Sequence, residues 1–157
     1  MILNQDFKEF IQLLNEHKVE YLIVGGYALA FHGYPRFTQD IDFWIWTDGE
    51  NATRIITVLG KFGFNSLNLQ EEDFLNEENI IQLGYPPNRI DIINQIDGVA
   101  FKDAFENREV FKNEQMVMNF IGIEQLIQNK KASGRLQDLA DLEILEKIKK
   151  EANRKEK

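Results

Sequence analysis

The chain has 157 residues, a formal net charge of −8 and no cysteine, and 43% of its residues are hydrophobic. This size and composition favour one globular domain with a sizeable core. The lack of cysteine excludes disulfides, thiolate metal sites and cysteine nucleophiles. The negative charge argues against a surface that coats nucleic acid without specificity.

Neither a membrane span nor a signal peptide is predicted. No stretch approaches the run of about 18 or more apolar residues that a membrane helix needs, and the N-terminus lacks a basic start. We therefore expect a cytoplasmic protein.

The N-terminal half alternates predicted helices and strands. Residues 6–17 repeat apolar side chains at helical spacing, with Asp6 as the predicted N-cap. A buried strand over residues 19–24 ends at Gly25 and Gly26, because glycine enters positive-φ turns without steric cost. Three more elements follow, a short helix, a central strand covered on both faces and a second helix, over residues 28–32, 41–46 and 52–61.

The C-terminal half contains a predicted strand pair and two helices. Strands over residues 80–83 and 89–93 flank a turn rich in glycine and proline and are predicted to pair antiparallel. Residues 123–150 are predicted to form two helices with a break near Gly134. The remaining predictions are a loop or short helix, a helix and a single strand, at residues 70–79, 101–107 and 109–117.

We predict one domain over residues 1–157, in which residues 123–157 form a C-terminal helical extension. The end of the chain, residues 147–157, carries six basic and two acidic residues. It is predicted to be either a solvated helix end or a contact for RNA. An apolar stripe on the last helix is predicted at Leu136, Leu139, Leu142 and Leu145.

Two aspartates in the central strand carry the main chemical signal. Asp40 and Asp42 are two residues apart, so they face the same side of a strand with Cα atoms about 6.6 Å apart. Adjacent carboxylates repel unless a cation neutralises them, and hard oxygen ligands suit Mg²⁺ or Mn²⁺. Asp91, in another apolar strand, is the predicted third ligand. Two ions about 3.5 to 4 Å apart can bracket an in-line nucleotidyl displacement.

Simpler interpretations of these aspartates remain open. An Asp-x-Asp pair is common on solvated strands, but Ile41 and Phe43 indicate a buried strand, in which unpaired carboxylates are costly. Asp91 can instead form an ordinary ion pair with Arg89 or Arg36. The apolar neighbours favour the metal site.

The glycine pair before the acidic strand predicts a phosphate-binding turn. Backbone N–H groups exposed at Gly25 and Gly26 would offer donors to a triphosphate. The alternative is a plain strand-to-helix turn, and the position just before the acidic pair favours phosphate. His32, in an apolar segment, is predicted to be a structural histidine and not a catalytic base.

Three motifs together resemble the minimal nucleotidyltransferases of the DNA polymerase beta superfamily. They are G-G-Y-A at residues 25–28, P-R-x-T-x-D-I-D at residues 35–42 and R-I-D at residues 89–91. Residues 134–142 resemble the G-R-x-x-D-L-x-D-L motif of the AbiEii-like toxin nucleotidyltransferase group. The resemblance covers roughly residues 20–145. It implies the α/β (α+β) nucleotidyltransferase fold, a mixed twisted sheet with flanking helices.

The resemblance also implies a reaction and its partners. A nucleoside monophosphate would pass from an NTP to a hydroxyl of RNA, with tRNA as one candidate, or of a protein, with Mg²⁺ or Mn²⁺ bound. Asp40 and Asp42 match the metal ligands, and Asp91 matches the third carboxylate, which helps to activate the acceptor hydroxyl. The chain would act as a toxin with a cognate antitoxin as partner. A catalytically silent binding module and a small-molecule nucleotidyltransferase of the antibiotic-modifying kind are the alternatives.

A second group of residues is predicted to bind the nucleotide. It consists of Gly25, Gly26, Tyr27, Arg36, Thr38, Lys131, Arg135 and Asp138. Tyr27 stands where many relatives have a serine whose hydroxyl helps to hold phosphate. Lys130 or Lys131, with Arg135, matches basic residues that face the nucleotide in the toxin-like group. Asp138 is predicted either on the helix surface or partly buried against Lys131 or Arg135.

Overall fold

A six-stranded mixed sheet organises residues 3–155, the part of the chain that the computed structural model describes. Strands β1 to β6 are Tyr21–Val24, Asp40–Ile45, Ile80–Leu83, Arg89–Ile93, Glu109–Lys112 and Val117–Phe120. Helices α1 to α6 are Gln5–Glu16, Gly25–Phe31, Gly49–Phe62, Phe101–Glu106, Ile123–Ser133 and Leu136–Lys155. Short 3-10 turns cover Asn65–Leu67 and Glu71–Phe74. No helix within residues 3–155 is both long and apolar enough to cross a membrane.

The strand order is β3-β4-β2-β1-β6-β5. β2 lies in the middle, antiparallel to β1 and parallel to β4, while β3 pairs antiparallel with β4. The sheet is therefore mixed, and the predicted antiparallel pair over residues 80–83 and 89–93 is confirmed. Because β2 and β4 are parallel neighbours, residues from both strands meet at the same end of the sheet.

Side chains of β2 alternate between two covered faces. The ring of Phe43 lies 5.3 Å from Phe10 of α1, and the ring of Trp44 lies 5.1 Å from Phe101 of α4. Helices therefore cover both faces of the central strand, as its apolar sequence predicted. Since side chains two apart share a face, Asp40 and Asp42 lie on the same side as Trp44, away from α1.

The predicted break in the C-terminal helical region is confirmed. α5 ends at Ser133, and its C-cap Gly134 has a φ of 64°, in the left-handed region that glycine adopts at little cost. α6 then packs back against α5. It continues through most of the basic end of the chain to Lys155; the last two residues of that predicted segment lie outside the described residues.

The strand predicted within residues 109–117 is confirmed over Glu109–Lys112, but it does not extend through the segment. The segment contains β5, a turn and the start of β6, which pair as a hairpin. Asn113 makes the turn: its backbone N–H donates to the carbonyl of Met116 at 3.1 Å, and its side-chain oxygen accepts from the backbone of Gln115 and Met116 at 2.9 Å. An asparagine side chain that binds backbone in this way favours a turn over a continuing strand.

Helices α1, α2 and α3 all begin earlier than predicted, and polar side chains cap α1 and α3. Asn4, not Asp6, is the N-cap of α1, because its side-chain oxygen accepts from the backbone N–H of Phe7 at 2.9 Å. Asp48 caps α3 through the backbone N–H of Glu50 at 2.8 Å. Polar caps such as these fix a helix start more closely than the first apolar residue does.

Candidate functional site

Three carboxylates converge at the same end of β2 and β4. Asp42 lies opposite Asp91 in the parallel register of the two strands, and Asp40 lies opposite Arg89. One oxygen from each of Asp40, Asp42 and Asp91 can be chosen so that all three atoms lie within 4.8 Å of one another. The structure thus brings together the three aspartates that the sequence singled out.

Arg89 bridges two of these carboxylates. Its Nη2 donates to Asp40 Oδ2 at 2.8 Å and to Asp91 Oδ2 at 3.1 Å, and its Nε donates to Asp91 Oδ1 at 2.9 Å. Of the two ion-pair partners considered for Asp91, the structure selects Arg89. The sequence analysis treated this pairing as an alternative to the metal site, whereas the structure shows Arg89 in contact with two of the predicted metal ligands.

The three carboxylates differ in protonation. Burial, followed by the charges of Asp40 and Asp91, raises the pKa of Asp42 from 3.8 to about 7. Burial also raises the pKa of Asp91, against the opposing hydrogen bond from Arg89. Burial acts in the same direction on Asp40, but hydrogen bonds from Asp91, Thr38 and Arg89 outweigh it, so the pKa of Asp40 is lowered. Three carboxylates therefore lie together with a single arginine, Arg89, in contact with two of them.

The donor set fits a hard divalent cation. All three donors are carboxylates, and Mg²⁺ and Mn²⁺ prefer oxygen ligands. Among the ion pairs formed within residues 3–155, none includes Asp42, whereas Asp40 and Asp91 both contact Arg89. A divalent ion would supply the missing positive charge next to Asp42.

Gly25 allows the chain to pass directly beside Asp42. Its φ is 69°, and a Cβ placed on it would collide with Asp42 Oδ2 and lie 3.1 Å from the carboxyl carbon. A side chain at this position is therefore excluded both by backbone strain and by lack of space. α2, which starts here, is only seven residues long, so the close approach is a stronger argument than the helix dipole for a glycine here.

Thr38 and Tyr27 lie near Asp40, and Gly26 packs against Thr38. A Cβ on Gly26 would lie 3.1 Å from the Cβ of Thr38. The Thr38 hydroxyl lies 3.0 Å from the carbonyl and 3.1 Å from the carboxylate Oδ1 of Asp40, so it orients this side chain. The ring of Tyr27 packs edge-on against Phe7 at 5.8 Å. Burial, then the charge of Asp40, raises the pKa of the Tyr27 hydroxyl.

Two cavities adjoin the carboxylates. One of about 500 Å³ is lined by Gly25, Asp42, Glu77, Glu78, Lys130 and Arg135, among others. The other, of about 410 Å³, is lined by Phe37, Thr38, Asp40, Pro86 and Arg89, among others. Both fall in the size range of small-ligand sites. Asp42 faces the first cavity and Asp40 the second, so the carboxylates lie between the two.

Lys130, not Lys131, faces the cavity beside Asp42. The buried Lys130 Nζ lies 3.2 Å from Asp138 Oδ1 and makes a 3.1 Å ion-pair contact with Asp141 Oδ2 that lacks hydrogen-bond geometry. Lys131 is 60% exposed and pairs with Glu146 of α6 at 3.7 Å. The two lysines point apart because adjacent helix residues differ by about 100° in direction, so the structure does not bring Lys131 to the carboxylates.

Two arginines complete this buried ionic cluster. Arg36 Nη1 donates to Asp141 Oδ1 at 2.8 Å, which ties the loop before β2 to α6. Arg135 is 77% exposed but donates to Asp138 Oδ2 at 2.7 Å. Burial opposes ionisation of Asp138, yet hydrogen bonds from Arg135 and Lys130 outweigh it and lower the pKa of Asp138. Of the two predictions for Asp138, the buried and paired one holds.

The predicted leucine stripe of α6 is wrong in its first half. Leu136 is 88% exposed and Leu139 is 48% exposed, whereas Asp138, Asp141 and Leu145 are buried. Lys130 of α5 is buried and Arg36 of the loop before β2 is half-buried, and both charges are paired with carboxylates of α6, so α6 turns its acidic side inward.

His32 is held by backbone. Its Nε2 lies 2.7 Å from the carbonyl oxygen of Ile121, which can only accept, so Nε2 carries the proton. Burial is the main cause that lowers the pKa of His32. The ring is therefore neutral near pH 7 and serves packing, as the sequence predicted.

Comparisons with known proteins support the fold. No protein-family model matches the chain, and no curated protein matches it. Among solved structures, it is similar to the crystal structure of a "putative nucleotidyltransferase" from Thermotoga maritima, with a TM-score of 0.53 and 17% identity. The similarity covers 94% of this chain and 91% of that chain. The chain therefore has the fold of this Thermotoga maritima protein, with a mixed sheet and flanking helices as the motifs of the chain predicted.

Proposed function

We propose that this protein is a metal-dependent nucleotidyltransferase that moves a nucleoside monophosphate from an NTP to a hydroxyl of an RNA, with tRNA as one candidate, or of a protein. One observation carries the proposal. On a nucleotidyltransferase fold, Asp40, Asp42 and Asp91 present oxygens within 4.8 Å of one another, beside a cavity of about 500 Å³. A bound divalent metal would offset the charge of the three carboxylates, and an NTP would fill the adjoining cavity.

Asp40, Asp42 and Asp91 would hold Mg²⁺ or Mn²⁺. When bound, such an ion neutralises phosphate charge and lowers the pKa of a ligated hydroxyl. Thr38 orients Asp40 through its hydroxyl. Gly25, which has no side chain, allows the backbone to lie directly against the Asp42 carboxylate.

Residues of this chain can accept the proton of the acceptor hydroxyl and offset the charge of the phosphates during transfer. The acceptor oxygen forms a bond to the α-phosphorus, the bond from that phosphorus to the bridging oxygen breaks, and pyrophosphate leaves. Asp91 is the candidate base for the hydroxyl proton, and burial, which raises the pKa of this carboxyl, strengthens it as a base. Lys130 and Arg135 line the same cavity as Asp42, where their charges can offset those of the phosphates.

We also propose that the protein is a toxin inhibited by a cognate antitoxin, because residues 134–142 resemble a motif of the AbiEii-like toxin group. In the structure, two members of this motif, Asp138 and Asp141, are buried against Lys130. The motif thus stabilises one wall of the cavity. NTPs and RNA are abundant in the cytoplasm, where we propose that the protein acts.

Transfer of label from NTPs tests the function. The purified protein is incubated with each α-labelled NTP, Mg²⁺ or Mn²⁺, and total RNA or protein. We expect labelled macromolecule from the natural chain and none from Asp42→Asn, while Glu151→Gln, at an exposed position of α6, keeps full activity. Equal labelling by the Asp42→Asn variant would refute the proposal. Nucleotide binding without transfer would instead support the silent module, and label on a small molecule the antibiotic-type enzyme.

A further inference from the structure

We propose that Arg89 is a built-in cation that competes with the divalent ion for Asp40 and Asp91 and so sets the metal affinity of the site. The proposal rests on the proposed function only in requiring that these carboxylates bind a divalent ion. Arg89 contacts the carboxylate oxygens that would bind the ion. It predicts that loss of this positive charge strengthens metal binding.

Arg89 occupies the space that a divalent ion shared by Asp40 and Asp91 would need. A single nitrogen, Arg89 Nη2, touches one oxygen of Asp40 and one oxygen of Asp91, at 2.8 and 3.1 Å. The Nε of the same group takes the other oxygen of Asp91 at 2.9 Å. A Mg²⁺ ion shared by these two carboxylates would lie about 2.0 to 2.1 Å from its oxygen ligands. The guanidinium nitrogen and such an ion cannot occupy that space together.

The positive charge of Arg89 is permanent. An arginine side chain stays protonated at all physiological pH values, so it cannot leave the carboxylates by losing its charge. It can leave only by moving. Arg89 is 28% exposed and lines the cavity of about 410 Å³ beside Asp40, so it can swing toward solvent without burying its charge.

The ion pairs of the three carboxylates predict the order in which a divalent ion would meet them. Asp42 is in no ion pair within residues 3–155, while Asp40 and Asp91 are both paired with Arg89. A divalent ion therefore meets Asp42 without competition and displaces the guanidinium from the other two.

The opposite role of Arg89 makes the opposite prediction. If the arginine served to hold Asp40 and Asp91 in the geometry that metal needs, its removal would weaken metal binding. The sign of the change in affinity therefore decides between competition and pre-organisation.

Metal affinity is measured without nucleotide, by titration of Mn²⁺ followed by electron paramagnetic resonance and calorimetry. Arg89→Met is expected to bind Mn²⁺ at least about tenfold more tightly than the natural chain, because a full charge next to the ion is removed. Arg54→Gln removes the same charge from an exposed pair with Glu50 and is expected to stay within about twofold. Equal or weaker binding by Arg89→Met would overturn the proposal.

Two further variants keep the test decisive. Arg89→Lys retains one charge but cannot bridge two carboxylates with a fork, so a smaller gain in affinity is expected, and equal or weaker binding contradicts the proposal. In Arg89→Ala, added guanidinium ion at non-denaturing concentration should weaken Mn²⁺ binding more than NaCl of the same ionic strength. No difference between the two salts would also count against competition.

Failure of this inference differs from failure of the proposed function. If the natural chain binds Mn²⁺, and Asp42→Asn does not, the metal site stands whatever Arg89 does. If neither the natural chain nor any Arg89 variant binds Mn²⁺, both the metal site and the competition are refuted.

Discussion

Replacing Asp42 with asparagine tests whether the site holds more negative charge than the fold alone stabilises. The amide has nearly the shape of the carboxylate but no charge. In the natural chain, burial and the charges of Asp40 and Asp91 raise the pKa of Asp42 from 3.8 to about 7. In metal-free solution at pH 8, the Asn variant is therefore expected to be more stable than the natural chain, although it loses transfer activity.

The magnitude follows from proton linkage. Below pH 3.8 this carboxyl is protonated in the folded and the unfolded chain alike. As the pH rises from there to about 7, the unfolded chain loses the proton while the folded chain keeps it, so the free energy of unfolding falls. At about 1.36 kcal/mol per pKa unit, this loss amounts to roughly 4 kcal/mol and is complete above the folded-state pKa. The Asn variant has no such loss.

Urea unfolding at pH 4, 6 and 8 in the presence of a chelator measures the effect. The stability of Asp42→Asn relative to the natural chain should increase steadily over this range, and Glu151→Gln, at an exposed position, should show no such trend. Saturating Mg²⁺ should stabilise the natural chain and not the Asn variant, because ligand binding to the folded state adds to its stability. A stability difference that does not change with pH, or an Asn variant that is less stable at pH 8, would refute the reasoning.

Three other substitutions probe the walls of the site, each by urea unfolding and label transfer. In Gly25→Ala the free energy of unfolding should fall by at least about 1 to 2 kcal/mol from left-handed backbone strain alone, and activity should be lost because the added Cβ displaces Asp42. Gly49→Ala, at a position with open space around it, is the control. Equal behaviour of the two variants would contradict the crowding argument. Lys130→Gln should lower the free energy of unfolding by about 3 to 5 kcal/mol, because it leaves buried carboxylates short of a cation. Lys131→Gln should change the free energy of unfolding by no more than about 0.5 kcal/mol. The reverse order would be inconsistent with the structure. Arg36→Met should cost about 1 to 3 kcal/mol, less than Lys130→Gln, because its aspartate partner keeps the lysine; a larger loss than for Lys130→Gln would argue against this ranking.

The local pattern of the strands was enough to predict the carboxylate group. Side chains two apart in a strand share a face, and apolar neighbours mark the strand as buried, so Asp40 and Asp42 could be paired from sequence. Their meeting with Asp91 required a neighbouring strand of matching register, which the motif resemblance implied and the parallel β2–β4 pairing supplies.

The helical side of the site was harder to predict because helix periodicity does not give direction when both sides of a helix carry polar and apolar residues. In α6 the leucines suggested one buried face, yet Asp138 and Asp141 are buried and Leu136 is exposed. The same ambiguity concealed which of Lys130 and Lys131 points at the cavity. Partners from other elements decide both questions.

The sequence by itself determined the elements near the site, the glycine turn at Gly25 and the acidic strand, because these depend on backbone sterics and on side-chain alternation within a few residues. Only the tertiary structure decided that Arg89 bridges Asp40 and Asp91 while Arg36 pairs with Asp141 of α6. A long, charged side chain can reach several carboxylates. Which one it meets depends on how distant segments pack, and that is information the local pattern does not contain.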